Sequence, residues 1–325
     1  MLLLSETDVR HLLSMDDLIQ SMESALAEFS SGRTVQPLRT VLDVGPSHAF
    51  YGVMPAFMPA SGALGTKIVT VFASNAAIGL PSHLATILLM DSTTGELLSV
   101  MDGRYITEAR TAAVSAVSAR LLAREDAGVL AVLGSGVQAR SHLRAFSHVR
   151  ALRDVRVWSP SAASRRTFAE EMHREIAAPI SPVASVREAV EGADLVVVAT
   201  AAREPVLHSD WIADGTHVAA VGACRPDQRE LDTALVKRAR VFVDSLAGAL
   251  AEAGDLVLPM REGAIDASHI AGELGQLAAG SGAGRQSPGE VTLFKSLGMA
   301  VEDIAAAHLA YQRAAERGLG RGIPW

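Results

Sequence analysis

Cysteine is nearly absent from this chain, and long basic or apolar runs are missing. Cys224 is the single cysteine, so the 325 residues hold no intrachain disulfide and no cysteine-based zinc knuckle. The charges are mixed in sign and the formal net charge is −7, which makes nucleic acid an unfavourable partner. No segment reaches the roughly 18 consecutive apolar residues of a membrane span. The histidines are scattered rather than spaced as metal ligands, so we expect no metal site.

The composition that remains is that of a folded protein with a large core. Hydrophobic residues make up 49% and charged residues 20%, which excludes a mostly disordered chain. A length of 325 residues is more than one core usually holds, so two domains are expected. The opening sequence, MLLLSETDVR, lacks the basic and the long apolar segments of a signal peptide. We therefore expect a cytosolic protein.

A glycine-rich turn after an apolar run is the most informative feature of the chain. The run Val129–Leu133 predicts a buried parallel strand, and the pattern over 138–146 predicts a helix. Between them, Gly134-x-Gly136-x-x-Ala139 permits a tight turn, an approach of a pyrophosphate to the backbone, and close packing of helix on strand. The N–H groups at the helix start face the anion. The alternative is an ordinary tight turn of an α/β protein, and the strand and helix on either side favour the cofactor site.

Strand and helix patterns alternate through the middle of the chain and predict a doubly wound, Rossmann-type parallel sheet. The predicted strands are 129–133, 154–158, 194–199, 217–221 and 240–244, with helices at 161–174 and 185–191. The earlier part of the chain predicts an antiparallel or mixed sheet from strand patterns at 39–44, 66–72 and 84–90. Helix signals are capped starts at Ser5 and Ser14, a helix over 107–122, and a helical section over about 290–320. The predicted fold class is α/β, with a second α+β domain.

The cofactor type is predicted from the end of the second Rossmann strand. NAD sites usually carry an acidic residue there, about 20 residues after the glycines, which binds the ribose diol. In this chain Ser159, Ser161 and Ser164 follow the strand, with Arg165 or Arg166 nearby, and no carboxylate stands at the expected place. Hydroxyl groups and a guanidinium suit a 2′-phosphate. NADP(H) is therefore favoured, and NAD(H) remains the alternative.

Further motifs are spread over nearly the whole chain. They are Gln36–Thr40, Gly52–Pro55, Thr66–Val69, Pro81–His83, Val100–Gly103, Ile106–Ala113, the glycine turn, Val221–Leu231, Gly272–Gly275 and Phe294–Asp303. In these motifs the chain resembles the ornithine cyclodeaminase/mu-crystallin family, and most of all its mu-crystallin branch of NAD(P)H-dependent ketimine reductases. The resemblance implies a homodimer. It also implies a substrate-binding and dimerisation domain formed by 1–115 with 295–325, and a dinucleotide-binding Rossmann domain over 116–294.

The resemblance implies a substrate site around Lys67. This lysine lies mid-strand among apolar residues, where it is costly to bury without a partner; the alternative is that it faces solvent. The family pattern makes Lys67 the acid–base or electrostatic residue, and two neighbouring arginines should lower its pKa. Arg39 and Arg110 match the family's carboxylate-binding arginines, although either can instead pair with a structural acid. Ser82 and Glu252 match further substrate positions, and an exposed helix glutamate is the alternative for Glu252.

Cofactor contacts are expected at the glycine turn and at the carboxyl ends of the strands, where a doubly wound sheet binds its ligand. The resemblance adds positions outside these loops, including Ser296, which it places on the C-terminal helix. The complete expected set is His83, Arg110, Thr111, Gly134, Ser135, Gly136, Val137, Gln138, Ser159, Ser161, Ser164, Arg165, Thr200, Ala201, Val221, Gly222, Ala223 and Ser296.

Two positions separate the expected activity from that of the family's cyclodeaminases. A glutamate of those enzymes corresponds to Gly52 and an aspartate to Cys224, and neither residue replaces a carboxylate in binding or deprotonating an amine. The expected function is NAD(P)H-dependent reduction of cyclic ketimine carboxylates, 1-pyrroline-2-carboxylate or 1-piperideine-2-carboxylate, to L-proline or L-pipecolate. The alternatives are ornithine cyclodeaminase, an alanine or N-alkyl amino acid dehydrogenase, and a non-enzymatic, NADPH-binding crystallin-like protein.

Overall fold

The computed structural model describes residues 1–45 and 49–324. The strands are, in chain order, β1 (Leu2–Leu4), β2 (Thr40–Val44), β3 (Ala49–Met58), β4 (Ala63–Val71), β5 (His83–Asp91), β6 (Leu97–Asp102), β7 (Val129–Leu133), β8 (Asp154–Trp158), β9 (Ile180–Pro182), β10 (Leu195–Val198), β11 (His217–Ala220), β12 (Arg240–Val243), β13 (Ile270–Glu273), β14 (Thr292–Lys295) and β15 (Arg321–Gly322). The helices are α1 (Glu6–Leu12), α2 (Met15–Ser30), α3 (Arg104–Leu122), α4 (Val137–Val149), α5 (Ala162–Met172), α6 (Val186–Val190), α7 (Thr233–Arg238), α8 (Leu246–Glu252), α9 (Gly254–Arg261), α10 (Leu274–Ala278) and α11 (Ala300–Arg317). A helix with the length and apolar character of a bilayer span does not occur in this described part of the chain.

The chain separates into two compact units. Met1–Arg110 and the chain from Gly298 onward form one, which we call the terminal unit, and Thr111–Leu297 forms the other, the central unit. Helix α3 begins in the terminal unit and continues into the central unit. The domain boundaries expected from the sequence lie close to these, and the functions that the sequence assigns to the two parts stay predictions.

Helix starts are fixed by short polar side chains, as the sequence predicts for the first two helices. The Ser5 hydroxyl accepts the Asp8 N–H of α1, and the Ser14 hydroxyl accepts the Asp17 N–H of α2. The helix expected to begin at 107 begins three residues earlier, at Arg104. The cause is the Asp102 carboxylate, which accepts the Arg104 N–H at 3.0 Å and the Tyr105 N–H at 3.2 Å and so satisfies the helix start.

A mixed sheet forms the terminal unit, in the order β15-β1-β6-β5-β4-β3-β2. Strands β2 to β6 pair antiparallel, and β1 lies parallel to β6. The sequence predicts β2, β4 and β5 but misses β1, β3 and β6. Alternate residues of β4, including Gly65, Lys67 and Val69, lie on the buried face. Helix α11 packs on β3, β4 and β5 and on α2, and its buried alanines allow this close approach.

The central unit holds a parallel sheet, in the order β13-β12-β14-β11-β10-β7-β8-β9. Leu130 and Val132 of β7 pack in one apolar cluster, and Ala131 and Leu133 pack in another. Both faces of the sheet are therefore covered, as the predicted Rossmann-type α/β class requires, and that class is confirmed. The chain order reverses beside β7, which lies between β8 and β10. Such a reversal places the ligand at the carboxyl ends of these strands.

The helical section predicted over about 290–320 is wrong at its start. Thr292–Lys295 forms β14, a fully buried strand between β11 and β12, and α11 begins only at Ala300. A short apolar run fits a buried strand as well as a buried helix, because periodicity cannot separate the two. Gly298, with a φ of +82°, separates strand from helix. Ser296 consequently follows a strand end and does not lie on the C-terminal helix.

Candidate active site

Lys67 lies inside the terminal unit, on the face of β4 that α11 covers. Its side chain is 2% exposed, and its Nζ forms an ion pair with Asp303 of α11, whose side chain is 0% exposed. Breaking such a buried pair by removing one partner typically costs about 3–5 kcal/mol. The solvent-facing lysine that the strand pattern left open is therefore excluded, and Asp303 is the partner that burial of Lys67 requires.

Arg110 joins this pair from α3. Its Nε donates to Asp303 Oδ1 at 2.8 Å, and its Nη1 donates to Glu302 Oε2 at 2.6 Å. Glu302 Oε2 also accepts the N–H of Met299, the capping residue of α11, at 3.1 Å. Pairing of Arg110 with structural acids, one of the sequence-based alternatives, is therefore present. Two carboxylates from consecutive positions fix the plane of its guanidinium next to Lys67.

Burial and neighbouring charges shift two titrations in this region. Burial above all, with the charges of Arg110 and Arg39, lowers the pKa of Lys67 to about 8, while Asp303 opposes the change. The lowered lysine pKa expected from two arginines is confirmed, with desolvation as the larger cause. Burial, followed by the charge of Lys67, lowers the pKa of His83 to about 4, so this imidazole is neutral near pH 7.

The remaining residues expected to bind substrate differ in their surroundings. Arg39 is half-buried just before β2, and its charge acts on Lys67. Ser82 is exposed, and its carbonyl accepts the Phe72 N–H at 2.8 Å. Glu252 is half-buried at the end of α8 and belongs to the central unit. The structure therefore gathers in the terminal unit one charged group, which we call the lysine cluster: Lys67, Arg39, Arg110, Glu302 and Asp303.

The glycine turn of the central unit has the geometry of a phosphate cradle. Gly134 has a φ of +121°, and a Cβ there would lie 2.3 Å from the Ala199 carbonyl oxygen, so only glycine fits. Gly136 caps α4, and a Cβ built on it meets nothing within 4 Å, which leaves its backbone open to a ligand. Val137 opens the helix and is exposed, whereas Gln138 Oε1 is buried without a hydrogen-bond partner among the described residues. These features fit a pyrophosphate at the helix start.

The expected ribose-binding serines fall into two groups. Ser135 Oγ donates to Ser159 Oγ at 2.9 Å, and Arg165 Nη1 donates to the Ser159 carbonyl at 2.5 Å. Ser161 is the cap of α5, because its hydroxyl accepts the Ser164 N–H at 3.2 Å. A cavity of about 420 Å³ lies beside the glycine turn, and its lining residues are Ser135, Gly136, Arg140, Ala163, Ser164 and Thr167. Arg140 thus supplies the guanidinium of this cavity, a role that the sequence analysis does not give it.

Three adjacent strand ends carry the other expected cofactor residues. Thr200 and Ala201 follow β10, the segment 221–223 follows β11, and Ser296 follows β14. Ser296 is 1% exposed, and its Oγ has no hydrogen-bond partner within the described ranges 1–45 and 49–324. A buried hydroxyl in that state is costly, and a polar ligand group satisfies it. Thr111, also in the expected set, is buried on α3.

The chain is similar to known proteins over most of its length. The sequence profile of the ornithine cyclodeaminase/mu-crystallin family matches residues 1–318. The chain belongs to this family. The ketimine reductase mu-crystallin of Mus musculus is 43% identical over 304 residues, 93% of this chain and 93% of that protein.

Two solved structures of the family share the fold over the full chain. The Delta(1)-pyrroline-2-carboxylate reductase of Thermococcus litoralis, in complex with NADH and L-proline, has a TM-score of 0.97 and 43% identity and covers 99% of this chain and 100% of its own. An archaeal alanine dehydrogenase dimer with bound NAD has a TM-score of 0.94 and 30% identity, with coverages of 100% and 99%. The chain therefore shares the fold of both structures over nearly its full length.

Three residues of the candidate site are not predicted from the sequence, although they lie in motifs of the family. Glu302 and Asp303 lie in the Phe294–Asp303 motif, but acids in a first helical turn commonly serve only the helix dipole. The signal that points to them is the need of a buried Lys67 for an anionic partner. Glu230, in the motif 221–231, is likewise fully buried, and its carboxylate accepts hydrogen bonds from backbone N–H groups at the strand ends. No local pattern distinguishes it from an exposed glutamate.

Proposed function

We propose that the protein reduces cyclic ketimine carboxylates with NAD(P)H, converting 1-pyrroline-2-carboxylate to L-proline or 1-piperideine-2-carboxylate to L-pipecolate. The observation that carries the proposal is the buried Lys67, held by Asp303 next to Arg110. Family relatives named for ketimine and pyrroline-2-carboxylate reduction, one of them solved with NADH and L-proline, support the same chemistry.

The lysine cluster is suited to an anionic substrate. Three cations, Lys67, Arg39 and Arg110, face two carboxylates, so the cluster keeps one positive charge in excess when all five groups are ionised. A substrate carboxylate supplies the balancing negative charge. Because Arg110 is already fixed by its two acids, little side-chain entropy is lost when it orients the substrate. Arg39, which is half-buried, is the second arginine of the proposed carboxylate clamp.

Lys67 also has the pKa of a proton donor that works near neutral pH. Reduction of the C=N bond needs one hydride at carbon and one proton at nitrogen. When bound, the nicotinamide supplies the hydride. Lys67, with a pKa of about 8, is largely protonated at pH 7 and gives up its proton more readily than an ordinary lysine. It supplies the imine nitrogen with its proton, directly or through an ordered water.

Two other positions disfavour the cyclodeamination of ornithine. The family's cyclodeaminases carry acids at two positions where this chain has Gly52 and Cys224. A Cβ added to Gly52 would lie 3.0 Å from Val69 Cγ1, and the Cys224 thiol donates a hydrogen bond to the Val221 carbonyl. Neither holds an ammonium group.

We further propose NADP(H) as the preferred cofactor and a homodimer as the assembly. The cavity beside the glycine turn presents Arg140 and Ser164, which suit a 2′-phosphate, and none of its lining residues is acidic. For the dimer, β2 is an edge strand that is exposed on both faces, including the apolar Val41 and Leu42. The related alanine dehydrogenase is a dimer.

The direct test is oxidation of NADPH by the purified protein on addition of 1-pyrroline-2-carboxylate. Lys67→Ala should abolish turnover while cofactor affinity changes little, because Lys67 lies outside the central unit, which carries the glycine turn. Lys67→Arg keeps the charge but not a proton donor near pH 7, so it separates acid catalysis from electrostatics. Full kcat in Lys67→Ala would refute the assigned role.

The same assay distinguishes the alternatives. Ammonia release from L-ornithine without net NADPH oxidation indicates a cyclodeaminase. Turnover of pyruvate with ammonium or an amine indicates an amino acid dehydrogenase. NADPH binding with no turnover on any imine indicates a non-enzymatic binding protein.

A further inference from the structure

One fully buried carboxylate connects two of the strand ends in the central unit. Glu230 Oε1 accepts the N–H and the Oγ1–H of Thr200, both at 2.7 Å. Glu230 Oε2 accepts the N–H of Gly222 at 2.6 Å and that of Ala223 at 3.2 Å. Glu230 is 0% exposed. Four donors on the loops after β10 and β11 therefore converge on one side chain.

Glu230 is itself held by a second buried group. Its N–H and that of Leu231 donate to Asp255 Oδ1 at 2.7 and 3.0 Å, and Asp255 Oδ2 pairs with Lys295 Nζ at 3.0 Å. Lys295 is the last residue of β14, the next strand in the sheet and the one that precedes Ser296. The network thus extends over three neighbouring strand ends, those of β10, β11 and β14.

The loops are packed tightly around this carboxylate. A Cβ on Gly222 would lie 2.1 Å from the Thr200 carbonyl oxygen and 2.5 Å from Glu230 Oε1. Such distances leave no space for any side chain, so glycine is required for the loop after β11 to approach the loop after β10. The position of one loop consequently depends on the other through Glu230.

We propose that Glu230 is a positioning residue for the nicotinamide half of the cofactor: it fixes the Thr200 loop and the Gly222–Ala223 loop so that their outward backbone groups meet the ligand. This inference rests on the proposed function, which places nucleotide binding at these strand ends. Removing the carboxylate would leave three backbone N–H groups, one buried and two partly buried, poorly satisfied and free the two loops to separate.

Asp194 provides a matched control at the opposite end of the same sheet. Its Oδ2 accepts the N–H groups of Gly128 and Val129, each at 2.9 Å, and its Oδ1 pairs with Arg124 at 2.5 Å. Gly128 precedes β7, Val129 is its first residue, and Asp194 precedes β10, so all three lie at the amino ends of the strands, where a doubly wound sheet does not bind its ligand. Loss of Asp194 therefore removes a comparable structural carboxylate without touching the proposed site.

Protonation gives a second readout. Burial above all raises the pKa of Glu230 to about 7, with the charge of Asp255 adding and that of Lys295 opposing. The groups that face this network are Asp255 from α9, Lys295 from β14, and the Cys224 thiol, which lies within electrostatic range of Lys295. As pH falls below about 7, Glu230 gains a proton and one of its oxygens becomes a donor. It then accepts fewer of the four N–H and O–H groups.

The experiment measures NADH affinity of the intact protein by fluorescence titration from about pH 6 to pH 9, alongside thermal stability. NADH is the probe because a phosphate monoester such as the 2′-phosphate titrates near pH 6 itself. We expect Glu230→Gln to raise the NADH Kd about tenfold at pH 8, and Asp194→Asn to leave it within about twofold even if its Tm falls. The wild-type Kd should rise as pH falls through 7, and Glu230→Gln should lack that step.

Thr200→Val keeps the test decisive if Glu230→Gln does not fold. It removes one hydroxyl donor but leaves the carboxylate, and it should raise the Kd by about threefold. Wild-type affinity in Glu230→Gln, an equal loss in Asp194→Asn, or wild-type affinity in Thr200→Val overturns the inference. A wild-type protein that binds no nicotinamide nucleotide refutes the proposed function instead, and that outcome is recognised before any variant is made.

Discussion

The protonation state of the buried Lys67 is set by opposing influences of its neighbours. Burial and the charges of Arg110 and Arg39 favour the neutral amine of Lys67, whereas Asp303 favours the ammonium ion. The outcome is a pKa of about 8, down from 10.5. Without Asp303, burial and the two arginine charges would all lower the pKa of Lys67 further, and no other group of this set would oppose them. The carboxylate therefore keeps the residue protonated as well as in place.

This balance predicts the pH dependence of turnover. In the wild-type protein, kcat/KM should fall as pH rises through about 8, because Lys67 of the free enzyme loses the proton that we propose it donates. Asp303→Asn removes the only charge of that set that raises the lysine pKa, so the falling limb should move to lower pH. Glu302→Gln, which removes a charge paired with Arg110 rather than with Lys67, is the control and should move the limb less.

Titration of the imine substrate cannot produce this pattern, because its pKa is the same for all three proteins. Steady-state kcat/KM for the imine across the pH range, at saturating cofactor, checks the expectation. Identical limbs in the wild-type protein and Asp303→Asn would show that Lys67 is not the group that titrates.

At the scale of elements, the sequence predicts those strands, turns and helices that have a local residue pattern, and it misses those that depend on tertiary contacts. The strand 129–133, the glycine turn and the helix after it follow from periodicity and turn chemistry, and the structure has all three. Thr292–Lys295 is predicted as helix but forms β14, because its position between β11 and β12 is not encoded in a four-residue pattern. Lys67 is found from its apolar strand, whereas its partner Asp303 lies 236 positions further along the chain (303 − 67). Only the folded sheet with α11 upon it brings the two together.

Helix α4 forms two similar ion pairs, one with α5 and one with the turn that follows α5, and the two pairs differ in their distance from the glycine turn. Arg140 Nε donates to Glu171 at 2.8 Å, and Arg144 Nε donates to Glu175 at 2.5 Å. Arg140 alone also donates to the carbonyls of the turn, Ser135 and Gly136, and lines the neighbouring cavity. The two arginines therefore share a structural role, and one of them has in addition a position suited to a phosphate.

We expect Arg140→Ala to raise the Kd for NADPH about tenfold and to change the Kd for NADH much less, because a charge-assisted bond to a 2′-phosphate is lost. Arg144→Ala is the matched variant one helical turn further on and should leave both affinities near wild type. Parallel titrations of the two nucleotides give the ratio directly. A wild-type preference for NADH, or equal losses for both nucleotides in Arg140→Ala, would contradict the assignment of NADP(H).

At the scale of the whole molecule, the edge strand β2 is the surface that we propose as the dimer interface. Its five residues are all exposed, and Val41 and Leu42, on opposite faces, are 46% and 57% exposed. An open edge with apolar side chains on both faces is a site for pairing and aggregation unless something covers it. In the homodimer that we propose, a second copy of the chain, related by a two-fold axis, would cover this edge with the same edge of its own.

We predict that charged residues introduced into β2 dissociate the proposed dimer into monomers. The double variant Val41→Lys, Leu42→Glu should shift the mass measured by light scattering after size exclusion from dimer to monomer, because pairing would bury the new charges. Leu319→Glu places a charge on an apolar residue of similar exposure, 37%, beside β15 at the other edge of the same sheet, and should leave the dimer intact. A dimer that survives the double variant, or a wild-type protein that is monomeric at micromolar concentration, would mean that β2 is not the interface. A monomeric double variant that still binds NADH would show in addition that the central unit folds and binds its nucleotide without the second copy.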